Sequence, residues 1–276
     1  MDPSPLVFLK LGGSLITDKM QSMTPRLDVI ERLASEIAAA VTALPGLRLL
    51  IGHGSGSFGH DVANRHRTQF GGNSPAYWQG FSAVWQAARA LNQLIAKALA
   101  RAGLPVIVFP PSAGIIVENH QVLSWDLQPI KQALERGLVP VVYGDVVFDL
   151  ELGGTILSTE DLFFELAKPL RPQKILLAGL DQGVYSDPQK PEAIIPVITP
   201  QSFPNVRSAL SASQAVDVTG GMLSKVETML SLISDNPSLE VIIFSGAVPG
   251  NLQKALIDVN AIKGTLITQG ATSPGE

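Results

Sequence analysis

Leu9-Lys10-Leu11-Gly12-Gly13-Ser14-Leu15-Ile16-Thr17-Asp18-Lys19 places a lysine inside an apolar run and a glycine pair just behind it. Leu6 to Leu11 is apolar except for Lys10 and reads as a strand. Gly12-Gly13-Ser14 then lets backbone N–H groups approach an anion with no Cβ in the way. The stretch reads as a strand leading into a phosphate cradle. It fits neither Gly-x-x-x-x-Gly-Lys-Ser/Thr nor Gly-x-Gly-x-x-Gly, so the common nucleotide motifs do not account for it. Alone, Gly-Gly-Ser would be a turn; repetition of the pattern gives it meaning.

Gly52-His53-Gly54-Ser55-Gly56-Ser57-Phe58-Gly59-His60 follows a second apolar run, Arg48 to Ile51, and opens a helix. Its small residues leave N–H groups free at a helix N-terminus, where the dipole favours an anion. Two cradles imply two phosphate groups. His60, in the first turn of that helix, can donate a hydrogen bond to a phosphate oxygen or exchange a proton near neutral pH. The competing reading has His60 capping or packing locally. His53, between strand and turn, is read as a structural hydrogen-bonding residue.

A third glycine pair lies in Asp217-Val218-Thr219-Gly220-Gly221-Met222-Leu223-Ser224-Lys225, ahead of an amphipathic segment that puts Lys225 about one turn into a helix. Lys225 could reach the same phosphates as Lys10. Two converging ammonium groups suit phosphoryl transfer, in which charge builds on the moving group and the leaving oxygen. A solvated helix lysine is the plainer reading. Carboxylates stand where such cations need holding: Gly144-Asp145 ends a strand, and Ser158-Thr159-Glu160-Asp161 begins a helix. Either Glu160 or Asp161 could orient the lysines, and Asp145 could brace the substrate loop. Helix N-capping explains Ser158 and its acidic neighbours equally well. Gly179 to Pro188, containing Asp181, Gly183 and Tyr185, is a turn-rich segment suited to gripping a base or ribose.

Around these motifs, strand-like and helix-like segments alternate, which predicts βα units on a mostly parallel sheet. Leu6–Leu11, Arg48–Gly52, Pro105–Phe109, Leu138–Tyr143, Lys174–Ala178 and Glu240–Phe244 read as strands. Leu27–Leu44, Pro75–Ala102 and Gly220–Ser234 read as helices. Two hairpins are expected, Gly114–Leu123 turning at Glu118-Asn119-His120, and Val146–Val147 against Thr155–Ile156 turning at Gly153-Gly154. The hairpins are expected to border a ligand site. Tyr77, Trp78, Phe81 and Trp85 open the long helix, Phe81 and Trp85 sharing a face as either core or pocket lining.

Length and charge set the remaining bounds. A chain of 276 residues buries a substantial core as one large domain or two lobes, and the change of character near Gly179 suggests lobes that share one sheet. Charged residues are 16% and the net charge is −4, so there is no basic field for nucleic acid or an anionic membrane. No cysteine is present, which excludes disulfides and a thiolate nucleophile. The first apolar run lacks the length and cleavage pattern of a signal peptide, and no later one is long enough to span a bilayer. A cytoplasmic location is expected.

Lys10-x-Gly12-Gly13-Ser14, Asp181-x-Gly183-Val184-Tyr185, Asp217 to Met222 with Lys225, and Gly264-Thr265-Leu266-Ile267 together resemble the amino-acid kinase superfamily, in its order and nearly end to end. Gly54 to His60 with Asp18-Lys19 resembles its isopentenyl phosphate kinase branch. The resemblance implies an α/β fold, a three-layer αβα sandwich like carbamate kinase. It implies a single domain, with an acceptor lobe at about 1–170 and an ATP lobe at about 171–270. It also implies ATP and Mg²⁺, with no residue assigned as a metal ligand. Separately from the resemblance, an edge formed by the long helix is expected to support a homodimer.

By that resemblance Lys10 and Lys225 stabilise the transferring group, while Gly12, Gly13, Ser14, Asp181, Gly183, Tyr185, Gly220 and Gly221 serve ATP, and Lys19 assists near the acceptor or the ATP phosphates. Gly54, Ser55, Gly56, Gly59 and His60 hold the acceptor phosphate, with Gly144, Asp145 and Phe81 on the acceptor side. The family's Ser-Gly-Asp falls at Ser158-Thr159-Glu160, which leaves Glu160 and Asp161 both open as the organising carboxylate. A phosphonate kinase of the same fold is the alternative acceptor reading, and a non-catalytic nucleotide-binding regulator the alternative class.

Overall fold

The computed structural model describes residues 5–187, 190, 193–212 and 221–270. Asp217, Val218, Thr219 and Gly220 of the third glycine motif lie outside them. The chain opens with β1 (Leu6–Leu11), a single turn α1 (Gly13–Ile16), α2 (Leu27–Ala43), β2 (Arg48–His53), α3 (Gly56–His66), α4 (Pro75–Arg101) and β3 (Val106–Val108). Next come β4 (Ile115–Glu118), β5 (Gln121–Trp125), α5 (Gln128–Glu135), β6 (Val139–Tyr143), β7 (Asp145–Asp149), β8 (Gly153–Leu157) and α6 (Thr159–Leu170). The second half holds β9 (Lys174–Gly179), β10 (Val197–Ile198), α7 (Phe203–Ala212), α8 (Gly221–Asp235), β11 (Glu240–Ser245), α9 (Asn251–Ile257) and β12 (Gly264–Ile267).

Among the described residues the main sheet runs β10-β12-β11-β9-β1-β2-β6-β3, parallel throughout except where β12 meets β11. Strands from both proposed lobes share it. Alternation along each strand feeds two separate cores, which is what a sheet covered on both faces requires. Leu6 and Phe8 pack with residues of α5, α6 and α8, whereas Val7, Leu9 and Leu11 pack with α2, α4 and α9. These are the two outer layers of an αβα sandwich. The chain builds from β1 toward β3 and then returns to place β9 on the other side of β1, so the topological switch lies at the carboxyl end of β1. Open α/β sheets take their ligands there.

The second sheet, β5-β4-β7-β8, contains both expected hairpins. Asn119 and His120 have φ of +47° and +65°, the mirror-image turn that matches strand twist. The other hairpin differs from expectation. Gly153 and Gly154 are already paired with Asp149 and Phe148, and the turn is Leu150–Leu152, held by Asp149 Oδ1, which accepts from Glu151 N (3.0 Å) and Leu152 N (2.9 Å). The same carboxylate accepts from Asn119 N and His120 N, so one aspartate fixes both turns. A turn driven by an aspartate side chain needs no glycine at its centre. In α4, Ser74 caps the first turn by accepting from Tyr77 N, and Gly103, at φ +89°, follows the last.

Candidate active site

Lys10 is the penultimate residue of β1, flanked by Gly52 of β2 and Leu177 of β9. Strand alternation turns it toward the layer that contains α6. Gly52 allows that helix to come close, because a Cβ there would fall 2.5 Å from Thr159 Cγ2 and 2.6 Å from Phe163 Cε1. The second residue of α6, Glu160, is thereby paired with Lys10, their side chains only 13% and 11% exposed. Asp161 does something else. It accepts from Ser158 N (2.8 Å) while Ser158 Oγ accepts from Asp161 N (3.1 Å), a reciprocal capping box. The ambiguity at Ser158-Thr159-Glu160-Asp161 thus resolves by geometry, with Glu160 on the lysine and Asp161 on the cap.

Lys225 lies in the opening turns of α8, and its charge acts on both members of the pair. Burial pulls the Lys10 ammonium below its ordinary value, Glu160 opposing and Lys225 reinforcing the shift. Burial would raise the Glu160 carboxyl, but Lys10 and Lys225 outweigh it and hold the group below its ordinary value. Asp161 adds a smaller opposite charge on Lys10, and the two lysines brought together at this centre favour an anion placed beside both.

The first two glycine loops touch one another. A Cβ on Gly13 would lie 2.5 Å from Gly56 N, and one on Gly54 would lie 2.9 Å from Gly13 N. Gly12 N donates to Ala178 O (2.8 Å) and Gly54 N to Leu11 O (3.0 Å), tying both loops to the strand ends. Thr17 joins them from within: its hydroxyl donates to Gly13 O (2.8 Å) and accepts from Ser57 N (3.0 Å). Thr17 belongs to no glycine motif, and its one signal in the sequence is a hydroxyl four residues after Gly13. Ser14 is half-buried in α1. Lys19 is exposed in a turn held by Asp18 N to Thr24 O (2.9 Å) and leaned on α3 through Met23 N to Ser57 O (3.2 Å).

α3 begins at Gly56, φ +49°, so His60 is its fifth residue, one position beyond the expected first turn, and is exposed. Ser55 folds over this turn, and a Cβ on Gly59 would strike its Oγ at 2.5 Å. Ala63, one turn after His60, packs with Tyr77, Phe81, Val84 and Val146. Phe81 is 8% exposed, and its ring lies 5.2 Å from Phe148 and 5.3 Å from Trp78. An apolar cluster therefore begins where the face of α3 that carries His60 ends.

His53 is the hub behind the second loop. Its ring is fully buried and stacked on Tyr143 at 5.4 Å and 6°. Nδ1 lies 3.1 Å from Gly54 O, and Nε2 lies 3.0 Å from Asn92 Nδ2, a pair of contacts that a neutral ring with its proton on Nδ1 satisfies. Burial lowers its pKa to about 4. The His53 carbonyl accepts from Thr159 Oγ1 (2.6 Å) and Gly144 N (3.3 Å), which joins the second loop to the helix that bears Glu160. Asp145 is buried against Ser112 and Val146, so the loop it braces is the Pro111–Ala113 turn and not Gly54–Gly59. Burial pushes its carboxyl up to about 6.

On the other side of β1, Asp181 is exposed in the turn that leaves β9. Gln182 N donates to Tyr185 Oη (3.0 Å), and Gly183 is packed so tightly on Thr265 that a Cβ would lie 2.7 Å from its Oγ1. Gly183 and Tyr185 thus shape the turn, and Asp181 faces outward from it. Gly221 opens α8 at φ +57°. No group of three His, Cys, Asp or Glu residues among the described ones could hold a metal ion.

The model of the amino acid kinase family matches residues 5–245. The isopentenyl phosphate kinase of Methanothermobacter thermautotrophicus is 35% identical over 274 residues, spanning 95% of this chain and 99% of that enzyme. That of Methanocaldococcus jannaschii is 33% identical over 268 residues, spanning 95% and 98%. A crystal structure of an isopentenyl phosphate kinase superposes with a TM-score of 0.79 at 32% identity, covering 95% of this chain and all of that one.

Proposed function

Since the chain belongs to the amino acid kinase family, we propose that it transfers the γ-phosphoryl group of ATP to isopentenyl phosphate, giving isopentenyl diphosphate and ADP. The observation that carries this reading is the Lys10–Glu160 pair under the influence of Lys225, set behind two glycine loops in mutual contact. An oxyanion of the acceptor attacks the γ-phosphorus as the bond to the ADP oxygen breaks, with no covalent enzyme intermediate. Lys10 and Lys225 offset the charge that accumulates on the moving group, and Glu160 holds Lys10 in place.

In the second loop the N–H groups of Ser55 and Gly56 serve the acceptor phosphate, Gly54 and Gly59 giving it close approach, and His60 donates to the same group. Lys19 assists from its turn. The ATP phosphates are assigned to Gly12, Gly13 and Ser14 with the Gly220-Gly221 pair, and the nucleoside end to Asp181 to Tyr185. This assigns acceptor work to residues 1–170 and ATP work to 171–270, apart from the first loop, which lies between them. Mg²⁺ would enter with ATP, because it keeps phosphate and water ligands readily. When bound, it neutralises triphosphate charge. The hydrocarbon tail of the acceptor lies on the apolar cluster at Phe81, Tyr77 and Val146, next to the His60 face. A homodimer and a cytoplasmic location belong to the same proposal. No helix among the described residues is long and apolar enough to cross a membrane.

The test is purified protein with Mg-ATP and isopentenyl phosphate, dimethylallyl phosphate, fosfomycin, carbamate or N-acetylglutamate, scored for ADP and for phosphorylated product. Isopentenyl diphosphate is the expected main product. Phosphorylation of fosfomycin alone transfers the assignment to a phosphonate acceptor, and turnover of carboxylate or carbamate alone overturns it.

A further inference from the structure

We propose that Arg32 and Glu36, two α2 residues outside all three glycine motifs, are positioning residues for the nucleotide side of the reaction. The inference rests on the reading of ATP as phosphoryl donor. Glu36 is 7% exposed, and a buried carboxylate is costly unless its oxygens are occupied. They are. Oε1 accepts from Arg32 Nη1 (2.5 Å) and Gly250 N (2.9 Å), and Oε2 from Leu252 N (3.1 Å) and Gln253 N (3.4 Å). Taken alone, this would be a local anchor for α9.

Arg32 shows that it is more. Its other arm, Nη2, donates to Gly246 O (2.8 Å), so one ion pair grips both ends of the Gly246–Gly250 connection, more than 210 residues away in sequence. That connection supports the donor-side turn. Gly246 N donates to Gly179 O (2.9 Å) and Ser245 Oγ to Leu180 O (3.0 Å), the two residues that immediately precede Asp181. Gly246 also lies against α1, the turn that the first loop opens, since a Cβ there would be 2.7 Å from Leu15 Cδ2. At its other end α2 is tied to the same segment by Arg26 N to Ile16 O (2.9 Å). A fork of fixed shape, seated on one rigid helix, therefore sets where the Asp181 turn stands relative to Gly12 and Gly13. None of these contacts reaches the Gly54–Gly59 loop.

The asymmetry gives the test. Mg-ATP binding by calorimetry without acceptor, and KM for each substrate, are measured for wild type, Glu36→Gln, Arg32→Lys and Arg32→Ala. Glu36→Gln and Arg32→Ala should weaken ATP binding and raise the ATP KM by about tenfold, with the acceptor KM within about twofold of wild type. Arg32→Lys, which keeps the charge on Glu36 but cannot span to Gly246 O, should fall between. The double variant Arg32→Ala/Glu36→Gln should be no worse for ATP than the worse single variant, because both act through one loop. Unchanged ATP binding in a folded variant, or a parallel rise in both KM values, returns the pair to a purely structural role. If Glu36→Gln does not fold, the half-exposed Arg32 variants decide the matter alone. A wild type that binds no Mg-ATP sinks the functional reading and this inference together, whereas a wild type that binds and variants that bind equally well sink only the inference.

Discussion

The Lys10 ammonium and the Glu160 carboxylate meet between the end of β1 and the first turn of α6, while Asp161, the next residue, turns back to cap that helix. Adjacent acidic residues therefore have separable jobs. Glu160→Gln leaves Lys10 buried beside Lys225 without its paired carboxylate and is expected to lower kcat by about a hundredfold. Asp161→Asn loses part of a capping box and is expected to cost about 1 kcal/mol of stability, with kcat within a few-fold of wild type. Steady-state rates and thermal melts on the two variants check this, and the reverse ranking in kcat would reassign the organising carboxylate.

The contact between the glycine loops predicts an all-or-nothing site. Gly13→Ala would drive a methyl group into Gly56 N at 2.5 Å and Gly56 Cα at 2.7 Å, backbone atoms that cannot rotate aside. Loss of turnover, with weakened binding of both substrates, is expected from titrations with each. Gly114→Ala is the control, because its Cβ would meet nothing closer than Trp125 Cδ1 at 4.0 Å. Wild-type kinetics in Gly13→Ala would mean that the loops need not touch.

Much of this was legible in the chain because β1 states its own period. Apolar residues on both sides of Lys10 require a strand covered on two faces, and a charge there needs a partner, which makes the lysine conspicuous. The register at Glu160-Asp161 was not legible, because a helix start and a lysine counter-ion ask for the same residue types and only the close approach of α6 over Gly52 separates them. Arg32 and Glu36 act on backbone groups more than 210 residues away in sequence, and such bonds leave no spacing to read. The Gly153-Gly154 pair misled in the opposite direction. Those glycines make room in a strand for Phe81 and Asn73, while Asp149 makes the turn.

Two buried groups shift in opposite senses, and acid stability should reveal both. The folded-state pKa of His53 is about 4 against 6.5 unfolded, so the stability it contributes is full above 6.5 and is lost as pH falls toward 4. Asp145 is the reverse: at about 6 folded against 3.8 unfolded, its contribution is full below 3.8 and is lost as pH rises through 6. Each is worth on the order of 3 kcal/mol, so the two largely offset near pH 5. Urea unfolding from pH 4 to 8 should show His53→Gln with a flatter acid limb and Asp145→Asn gaining relative to wild type above pH 6. Parallel curves for all three proteins would mean that neither group shifts on folding.

His60 and Phe81 should control different halves of the acceptor. His60→Ala is expected to lower kcat/KM for isopentenyl phosphate about a hundredfold while leaving ATP binding within about twofold, because it removes a donor to the acceptor phosphate alone. An unchanged acceptor response would return His60 to local packing. Phe81→Ala leaves the phosphate end intact but opens space among Tyr77, Val84, Val146 and Phe148. Truncating a buried phenylalanine costs about 3–5 kcal/mol in a closed core, and a ligand that fills the space recovers part of that loss. Acceptors with longer prenyl tails should therefore gain on isopentenyl phosphate, both in relative kcat/KM and in the rise of Tm they produce. If the variant loses stability but keeps the wild-type ranking of tail lengths, the cluster is core and the tail lies elsewhere.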